Sequence, residues 1–304
     1  MTAARQVIPG RIYLVTRRCT QRQMLLRPDE TVNQIIDYCL AEAAQHFNVT
    51  LYGHMPMSNH VHMMIRDNLG NFPEFLARFH RMVAKAMNCL LGRWENFWAT
   101  EQPNAVYVVE SSDLFAKLVY ILANPVAADL VDRVSDWPGA SSYSMHLSGK
   151  SRTVKRPRVY FRGKKSKMPE EVTLRIERLP GFEHLSEAEW QAKVRDAVRV
   201  EEDRLRNKRQ EAGRHVLGRK GVLRVNPTDV PKSVEPRRNF RPQIACLNEE
   251  RREAELLALD EFRAKRRDAL LLMQAGEPDV VFPYGTYRIR GVFRCEAPPV
   301  AAAA

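Results

Sequence analysis

The sequence predicts an α+β plait, an antiparallel sheet with helices on one face, followed by a mostly helical and basic C-terminal region. Three observations favour this fold class. Short β-branched and aromatic runs alternate with longer amphipathic stretches up to residue 146, two of these runs are separated by only a short turn, and strongly charged sequence follows. A short turn joins antiparallel strands, whereas parallel strands need a longer crossover. Helices that cover one face of such a sheet give an α+β architecture.

The first four elements are predicted to be a strand, a helix and two further strands. Residues 12–16 are a β-branched and aromatic run, which is typical of a buried strand. Residues 31–47 predict a helix, because their apolar side chains recur every three or four positions. Residues 49–55 and 60–66 predict two strands, and the segment 55–59 between them contains a proline and an asparagine that suit a turn.

Three elements complete the predicted N-terminal unit. Pro73 suits the first turn of a helix that ends near Gly92. Residues 105–109 predict a strand, and residues 112–124 predict a third helix that Pro125 closes.

Four segments follow from these patterns: a catalytic unit at 1–146, a basic linker at 147–185, a helical and basic region at 186–297 and a disordered tail at 298–304. Within the third segment, two charged stretches predict helices, and a Pro-, Arg- and Asn-rich connection between them is expected to be loose. Their ranges are 186–213, 247–275 and 218–245.

Charge and composition limit the classes of function. The 304 residues carry a formal net charge of +12, with a pI near 9.7. Residues 1–146 contain 13 basic and 13 acidic residues, whereas residues 147–304 contain 35 and 23. A basic excess favours an anionic partner such as nucleic acid, although many basic domains bind nothing specific. No apolar run approaches the roughly 18–20 residues that span a bilayer, and five separated cysteines are typical of reduced, cytosolic thiols.

A histidine pair is the first candidate for chemistry. His60 and His62 lie two residues apart on a predicted strand, so their side chains share one face. Two imidazoles at that spacing can bind one cation. A pair of core or surface histidines without a metal remains the alternative interpretation.

The third predicted helix adds a phenol and an amide. At about 100° per residue, Tyr120 and Asn124 lie on the polar side of this helix, away from the apolar arc that contains Leu118 and Leu122. A tyrosine outside the apolar arc is accessible for nucleophilic attack, although a partly exposed tyrosine on an amphipathic helix is the simpler alternative.

Two motifs resemble those of a known family. Residues 53–65, Gly-His-Met-Pro-Met-Ser-Asn-His-Val-His-Met-Met-Ile, resemble the M-P-N-H-V-H strand of the single-tyrosine HUH transposases. Residues 120–131 are similar to that family's Y-x-x-x-N-P-V-x-A-G-L-V helix end, especially in transposases associated with repetitive extragenic palindromes (REP). Residues 137–143 are similar to its W/P-x-S-S-Y close. The resemblance covers about residues 8–146.

The resemblance implies a ferredoxin-like form of the plait and a set of site residues. By position, His60 and His62 match the metal ligands, Asn124 matches a third ligand and Tyr120 matches the nucleophile. The implied metal is Mg²⁺ or Mn²⁺. The implied reaction cuts single-stranded or hairpin DNA through a 5′-phosphotyrosine link and transfers the strand, which places the protein in the cytoplasm with the nucleoid. Whether the protein is a monomer or a homodimer stays open.

The chain departs from the family pattern at two places. Met57 and Ser58 stand where the family has a shorter turn, and Asp129 replaces a common glycine. Neither matches a site position, but Asp129 leaves the local backbone geometry open.

Basic and aromatic residues are candidates for DNA contacts. The basic candidates are Arg17, Arg18, Arg22, Arg78, Arg81, Lys85, Lys155, Arg156 and Arg158. Trp94, Trp98 and Tyr107 are candidates for stacking on unpaired bases, with core packing as the favoured alternative.

Two other functions compete with the transposase interpretation. One is a domesticated protein that binds hairpin DNA without cutting it. The other is a metal-dependent hydrolase of a small molecule, which would need a third strong ligand beside the histidine pair.

Overall fold

Strands and helices alternate along the first half of the chain. The computed structural model describes residues 4–161, 166–232, 242–289 and 291–298. The elements of the first half are β1 (Ile12–Arg18), α1 (Glu30–Phe47), β2 (Val49–Met57), β3 (His60–Asp67), α2 (Phe72–Leu91), β4 (Asn104–Val108) and α3 (Ser111–Ala127). Their order is the one that the sequence predicts.

Two long helices and several short elements form the described part of the second half. They are α4 (Tyr143–Ser148), β5 (Arg152–Lys155), β6 (Glu171–Leu174), α5 (Glu187–Glu211), α6 (Gly218–Arg224), β7 (Ile244–Ala245), α7 (Glu249–Gln274), β8 (Val281–Phe282) and β9 (Arg294–Cys295). Within the described residues, none of the helices is long and apolar enough to cross a membrane.

Local sequence explains the ends of α1 and α2. The Asp29 side chain accepts a hydrogen bond from the Val32 N–H and so caps the start of α1. Asn48 follows the end of α1 in the left-handed region at φ 51°, and Gly92 follows α2 at φ 63°. Asparagine and glycine tolerate this conformation better than other residues.

α3 continues past the residue that was predicted to end it. The helix extends to Ala127, with Pro125 inside it. The prediction was wrong because this proline lies in the last turn of the helix, where the one N–H bond that it removes is a small loss. The Ala128 N–H still bonds the Asn124 carbonyl at 3.0 Å.

Five strands form a mixed sheet in the order β2-β3-β1-β4-β7. The pairs β2–β3, β3–β1 and β1–β4 are antiparallel, as predicted, but β7 pairs parallel to β4. β7 lies in the connection that was expected to be loose, and a two-residue strand leaves no periodic signal in the sequence. Met57 pairs with His60, so Ser58 and Asn59 form a tight turn between β2 and β3.

Helices cover both faces of this sheet, so the prediction of helices on one face is wrong. One apolar core lies between the sheet and the pair α1 and α2, and a second lies between the sheet and the pair α3 and α5. Along β3, Val61 and Met63 point into the first core and Met64 points into the second. A strand with apolar residues on both faces is typical of a sheet that is covered on both sides.

A close approach between α3 and β2 sets the position of the second layer. A Cβ atom on Gly53 would lie 2.7 Å from Leu118 Cδ1, so glycine lets the helix lie directly on the strand. The register between β2 and β3 also shifts between Leu51 and Gly53, as a β-bulge does.

The segment predicted to be a basic linker is packed against α1. β5 and β6 form an antiparallel hairpin, and Val154, Val172 and Leu174 join the core of α1 and α2. The Tyr38 hydroxyl donates a hydrogen bond to the Pro169 carbonyl at 2.6 Å. Buried apolar residues of the two strands therefore anchor this basic segment to α1, which composition alone did not reveal.

The other boundaries stay predictions. Residues 162–165, 233–241 and 299–304, which contain parts of the predicted linker, loose connection and tail, lie outside the described residues. α5 packs on α3 in the second core, so the predicted N-terminal and C-terminal units share buried surface.

Candidate metal and nucleophile site

The histidine pair lies at the start of β3, on the face of the sheet that α3 covers. The His60 and His62 rings have centroids 4.6 Å apart and planes at 89°. His62 is buried and His60 is partly exposed. The two imidazoles are therefore adjacent, as alternation along a strand predicts.

The second nitrogen of each ring has its own partner. His60 Nδ1 lies 2.6 Å from Asn59 Oδ1, which can only accept, so this nitrogen donates and Nε2 keeps its lone pair. His62 Nδ1 lies 2.9 Å from Thr16 Oγ1. A hydroxyl can donate or accept, so Thr16 supports either tautomer of His62. Partners of this kind fix the orientation of metal-binding histidines.

α3 brings the phenol and the amide to the same place. The Tyr120 and His62 rings have centroids 5.9 Å apart, and Tyr120 is 50% exposed. Asn124, one helical turn later, is buried, and its Nδ2 donates to the Tyr120 carbonyl at 3.2 Å. The Asn124 side chain also hydrogen-bonds His62 and raises its pKa, as it does when its oxygen accepts from the ring.

Burial keeps both imidazoles neutral. It lowers the pKa of His62 to about 4, against the smaller opposing effect of the Asn124 hydrogen bond. Burial, and to a lesser extent His62 and Arg18, hold the pKa of His60 well below its usual range. Neutral imidazole is the form that binds a metal ion.

This donor set fits a divalent cation. His62 Nδ1 contacts Thr16, and the His62 side chain also hydrogen-bonds Asn124. His60, His62 and Asn124 would hold such a cation through ring nitrogens and the amide oxygen. Two imidazoles and an amide oxygen suit borderline metals such as Mn²⁺, Zn²⁺ or Ni²⁺.

A second group of potential ligands lies where α3 and α7 begin. Ligand atoms of Glu110, Asp113 and Cys246 lie within 4.8 Å of one another. However, Asp113 accepts from the Leu247 N–H at 3.0 Å, Glu110 lies 3.7 Å from an Arg251 guanidinium nitrogen, and burial raises the pKa of the Cys246 thiol. These groups join two helix ends. Sequence analysis missed the cluster because Cys246 is distant in the chain and forms no recognisable motif.

Three of the basic candidates lie at the His60 end of the sheet. Arg17 and Arg18 end β1, and Arg18 pairs with His60 in the strand register. Arg22 follows in the next turn, and its carbonyl accepts from Asn59 Nδ2 at 3.2 Å. The end of β1 therefore places positive charge next to the histidine pair.

The other six candidates lie away from the histidine pair. Arg78, Arg81 and Lys85 belong to α2, and Lys155, Arg156 and Arg158 belong to the hairpin beside α1. Both elements cover the opposite face of the sheet. Arg78 forms a bidentate ion pair with Glu42. Arg156 Nη1 donates to the Met168 carbonyl at 2.6 Å. Periodicity identified the helix face of Arg78, Arg81 and Lys85 but not the side of the sheet on which α2 lies.

The three aromatic candidates have different environments. Trp98 is buried and donates to the His80 carbonyl at 2.8 Å. Tyr107 is partly buried, with the Arg11 guanidinium 4.4 Å from its ring centroid. Trp94 is 97% exposed. Core packing, the alternative to stacking on bases, is therefore correct for Trp98 but not for Trp94.

The fold and the site together define an α+β protein with a candidate metal and tyrosine centre. No protein-family model matches the chain, and no curated protein does. One similar solved structure is a REP-associated tyrosine transposase bound to a REP hairpin, with 18% identity and a TM-score of 0.42 over 49% of this chain and 86% of the other. Another is a predicted transposase from Deinococcus radiodurans R1, with 16% identity and a TM-score of 0.29 over 38% of this chain and 93% of the other. At these values the likeness assigns no role to any residue of this chain.

Proposed function

We propose that the protein is a single-tyrosine DNA endonuclease and strand transferase of the transposase kind, acting on single-stranded or hairpin DNA in the cytoplasm. The observation that carries the proposal is the convergence of His60 and His62 from β3 with Tyr120 and Asn124 from α3. The candidate nucleophile is half exposed, whereas the neighbouring His62 and Asn124 are buried. A substrate can thus reach the phenol while the ligands keep a fixed position.

The same proposal interprets the fold. The antiparallel order β2-β3-β1-β4, with α1 and α2 on one face, supports the proposal of a ferredoxin-like plait. α3 and α5 then form an additional layer on the other face, and that layer supplies Tyr120 and Asn124.

In the proposed reaction, the Tyr120 hydroxyl attacks a phosphodiester of the single strand. The new bond joins the tyrosine oxygen to phosphorus, the bond from phosphorus to the 3′ oxygen breaks, and that oxygen takes up a proton. The phenol proton passes to solvent, which reaches the exposed side chain. The products are a 5′-phosphotyrosine and a free 3′ hydroxyl, which can attack the link again and rejoin the strand without ATP.

His60, His62 and Asn124 would hold Mg²⁺ or Mn²⁺. When bound, the cation supplies Lewis acidity that polarises the phosphoryl group and offsets its negative charge. The protein contributes position: Asn59 and Thr16 orient the imidazoles, and the hydrogen bond from Asn124 to the Tyr120 carbonyl keeps the amide oxygen directed at His62.

The Tyr120→Phe variant tests the chemistry. With a hairpin oligonucleotide and Mn²⁺ or Mg²⁺, the wild-type protein should form a covalent adduct that persists on a denaturing gel. Tyr120→Phe should form none and should bind the oligonucleotide within about threefold of wild type, because only the attacking oxygen is lost. Tyr160→Phe is the control, since Tyr160 is another exposed tyrosine at 42% and should leave the adduct unchanged.

The outcomes separate the competing functions. An adduct that survives Tyr120→Phe rejects Tyr120 as the nucleophile. Hairpin binding without an adduct under either metal assigns the chain to a domesticated DNA-binding protein. A hydrolase of small molecules has less support, because no carboxylate, cysteine or third histidine among the described residues joins His60 and His62 at ligand distance.

A further inference from the structure

Trp94 is an unusually exposed aromatic side chain. Its exposed fraction is 97%, whereas those of Trp98, Trp137 and Trp190 are 7%, 5% and 3%. A tryptophan buries about 150–250 Å² of surface when it packs. Leaving this ring in water forgoes that burial, so a partner that covers the ring would gain it.

The loop that presents Trp94 is fixed at both ends. After Gly92, the Arg93 N–H bonds the Asn88 carbonyl at 2.9 Å, and Asn88 Nδ2 donates to the Glu95 carbonyl at 2.8 Å. On the other side, Trp98 pairs with Cys19 as an antiparallel bridge. The Trp94 backbone therefore lies in a loop that hydrogen bonds hold, not at a free end.

This loop runs beside the His60 end of the sheet. The Ala99 N–H bonds the Arg18 carbonyl at 2.9 Å, and Arg18 pairs with His60 in the register of β1 and β3. Trp94 lies four positions before Trp98, and consecutive Cα atoms are about 3.8 Å apart. The Trp94 Cα therefore lies within about 15 Å of the Trp98 Cα, in the loop whose Ala99 bonds the end of β1.

The charge around the loop favours a polyanion. The loop and the adjoining end of β1 carry four arginines, which are Arg17, Arg18, Arg22 and Arg93. The acidic residues in the same segments are Glu95 and Glu101. Arg17 Nη1 donates to the Glu101 backbone carbonyl, and the Glu101 carboxylate also interacts with the Arg17 charge, so the basic excess rests on the other three arginines. Phosphates bind such basic edges, and every base offers a flat face to an exposed indole.

We infer that Trp94 is a stacking platform for an unpaired base of single-stranded DNA, adjacent to the His60 edge. The inference rests on the proposed function, which supplies the DNA substrate. The Arg-rich end of β1 holds the phosphates of the strand, and the indole covers one face of an unpaired base of the same strand.

Intrinsic fluorescence tests the inference, because Trp94 alone among the four tryptophans is exposed. In a Tyr120→Phe background, where no cleavage is expected, oligodeoxythymidylate should quench the exposed emission. Trp94→Ala should weaken binding of this oligonucleotide about 5- to 100-fold, and Trp94→Phe should recover most of the affinity. Substitution at so exposed a position leaves the folded core intact.

An abasic oligonucleotide of the same length separates base stacking from phosphate contact. Trp94→Ala should not change its affinity. Unchanged affinity of Trp94→Ala for oligodeoxythymidylate, or an equal loss for the abasic strand, would overturn the inference, and the first result would leave Trp94 to a protein partner. If stacking holds while the wild type forms no adduct, the proposed function fails alone. If the adduct forms and Trp94→Ala binds normally, the stacking inference fails alone.

Discussion

At the scale of single residues, the candidate site depends on side chains that are not themselves ligands. Asn59 precedes His60 in the sequence, so its contact with His60 Nδ1 is local. Thr16 comes from β1 and reaches His62 only because Thr16 and His62 are paired in the strand register. No spacing in the sequence identifies Thr16. Neighbours of this kind orient metal-binding histidines and set their tautomer.

Thr16→Val should therefore weaken metal binding without removing a ligand. The expected loss of Mn²⁺ affinity is about 10- to 100-fold, since His62 Nδ1 loses its partner. Calorimetric titration with Mn²⁺ measures this directly. Thr153→Val, at an exposed position of β5, is the matched control and should bind Mn²⁺ as wild type does. Equal affinity in Thr16→Val would show that the hydroxyl does not support the site.

At the scale of elements, α5 holds the helix that carries Tyr120. Trp190, Val194 and Val198 of α5 join the same core as α3. Asp129, just past α3, has the left-handed φ of 55° that a glycine would adopt, and its carboxylate binds Arg214. Aspartate tolerates this left-handed turn, and its carboxylate adds a contact to the C-terminal region.

Glu202 is the side chain of α5 whose removal should loosen this layer most clearly. It is 5% exposed and accepts hydrogen bonds from the Val134 N–H at 2.6 Å and from Arg133 Nη1 at 2.9 Å. Glu202→Ala leaves a buried N–H unpaired and should lower the free energy of unfolding by about 1–3 kcal/mol. Among the residues that the structure describes, Glu201 bonds Arg204 alone, three residues along the same helix, so Glu201→Ala should cost less than about 0.5 kcal/mol.

Urea unfolding of the two variants provides the measurement. Similar midpoints for Glu202→Ala and Glu201→Ala would contradict a structural role of the Glu202 contacts. The comparison also tests the predicted boundary at residue 185. If the C-terminal region folded independently, Glu202→Ala would lower the stability of that region and leave the stability of the sheet unchanged.

At the scale of the whole molecule, covering both faces of the sheet buries a titratable histidine in each core. His80 packs against Trp98 on the side of α1 and α2, and His146 packs against Trp190 on the side of α3. Burial, with a smaller effect of Arg17, lowers the pKa of His80 to about 3. Burial likewise lowers the pKa of His146 to about 4.

These lowered pKa values predict a loss of stability in mild acid. In the unfolded chain both histidines take up protons near pH 6.5. In the folded chain His146 stays neutral down to about pH 4 and His80 down to about pH 3. Between those values the unfolded state binds more protons, so the free energy of unfolding falls as pH falls. The full effect is about 3–5 kcal/mol per histidine, larger for His80 than for His146.

Urea unfolding at a series of pH values measures this slope. The double variant His80→Gln, His146→Gln should show a shallower fall between about pH 6.5 and about pH 4. His46→Gln, at an exposed position of α1, controls for the substitution itself. An equally steep fall in the double variant would mean that other groups cause the acid sensitivity.

The sequence by itself determined the local relations. A period of two places His60 and His62 on one face of a strand, and a spacing of four places Tyr120 and Asn124 on one side of a helix. Both relations hold in the structure, and so does the order of the first seven elements. These features depend on backbone geometry within one element, which neighbouring residues set.

Only the tertiary structure decided which faces meet. Strand order and register decide that α3 covers the histidine face and that α2 carries its basic residues to the opposite face. They also decide that Thr16 reaches His62 and that Trp94 stays exposed. Such long-range pairings are set by the burial of both sheet faces at once. Amphipathic periodicity shows that a helix has a buried side, but it does not show which layer receives that side.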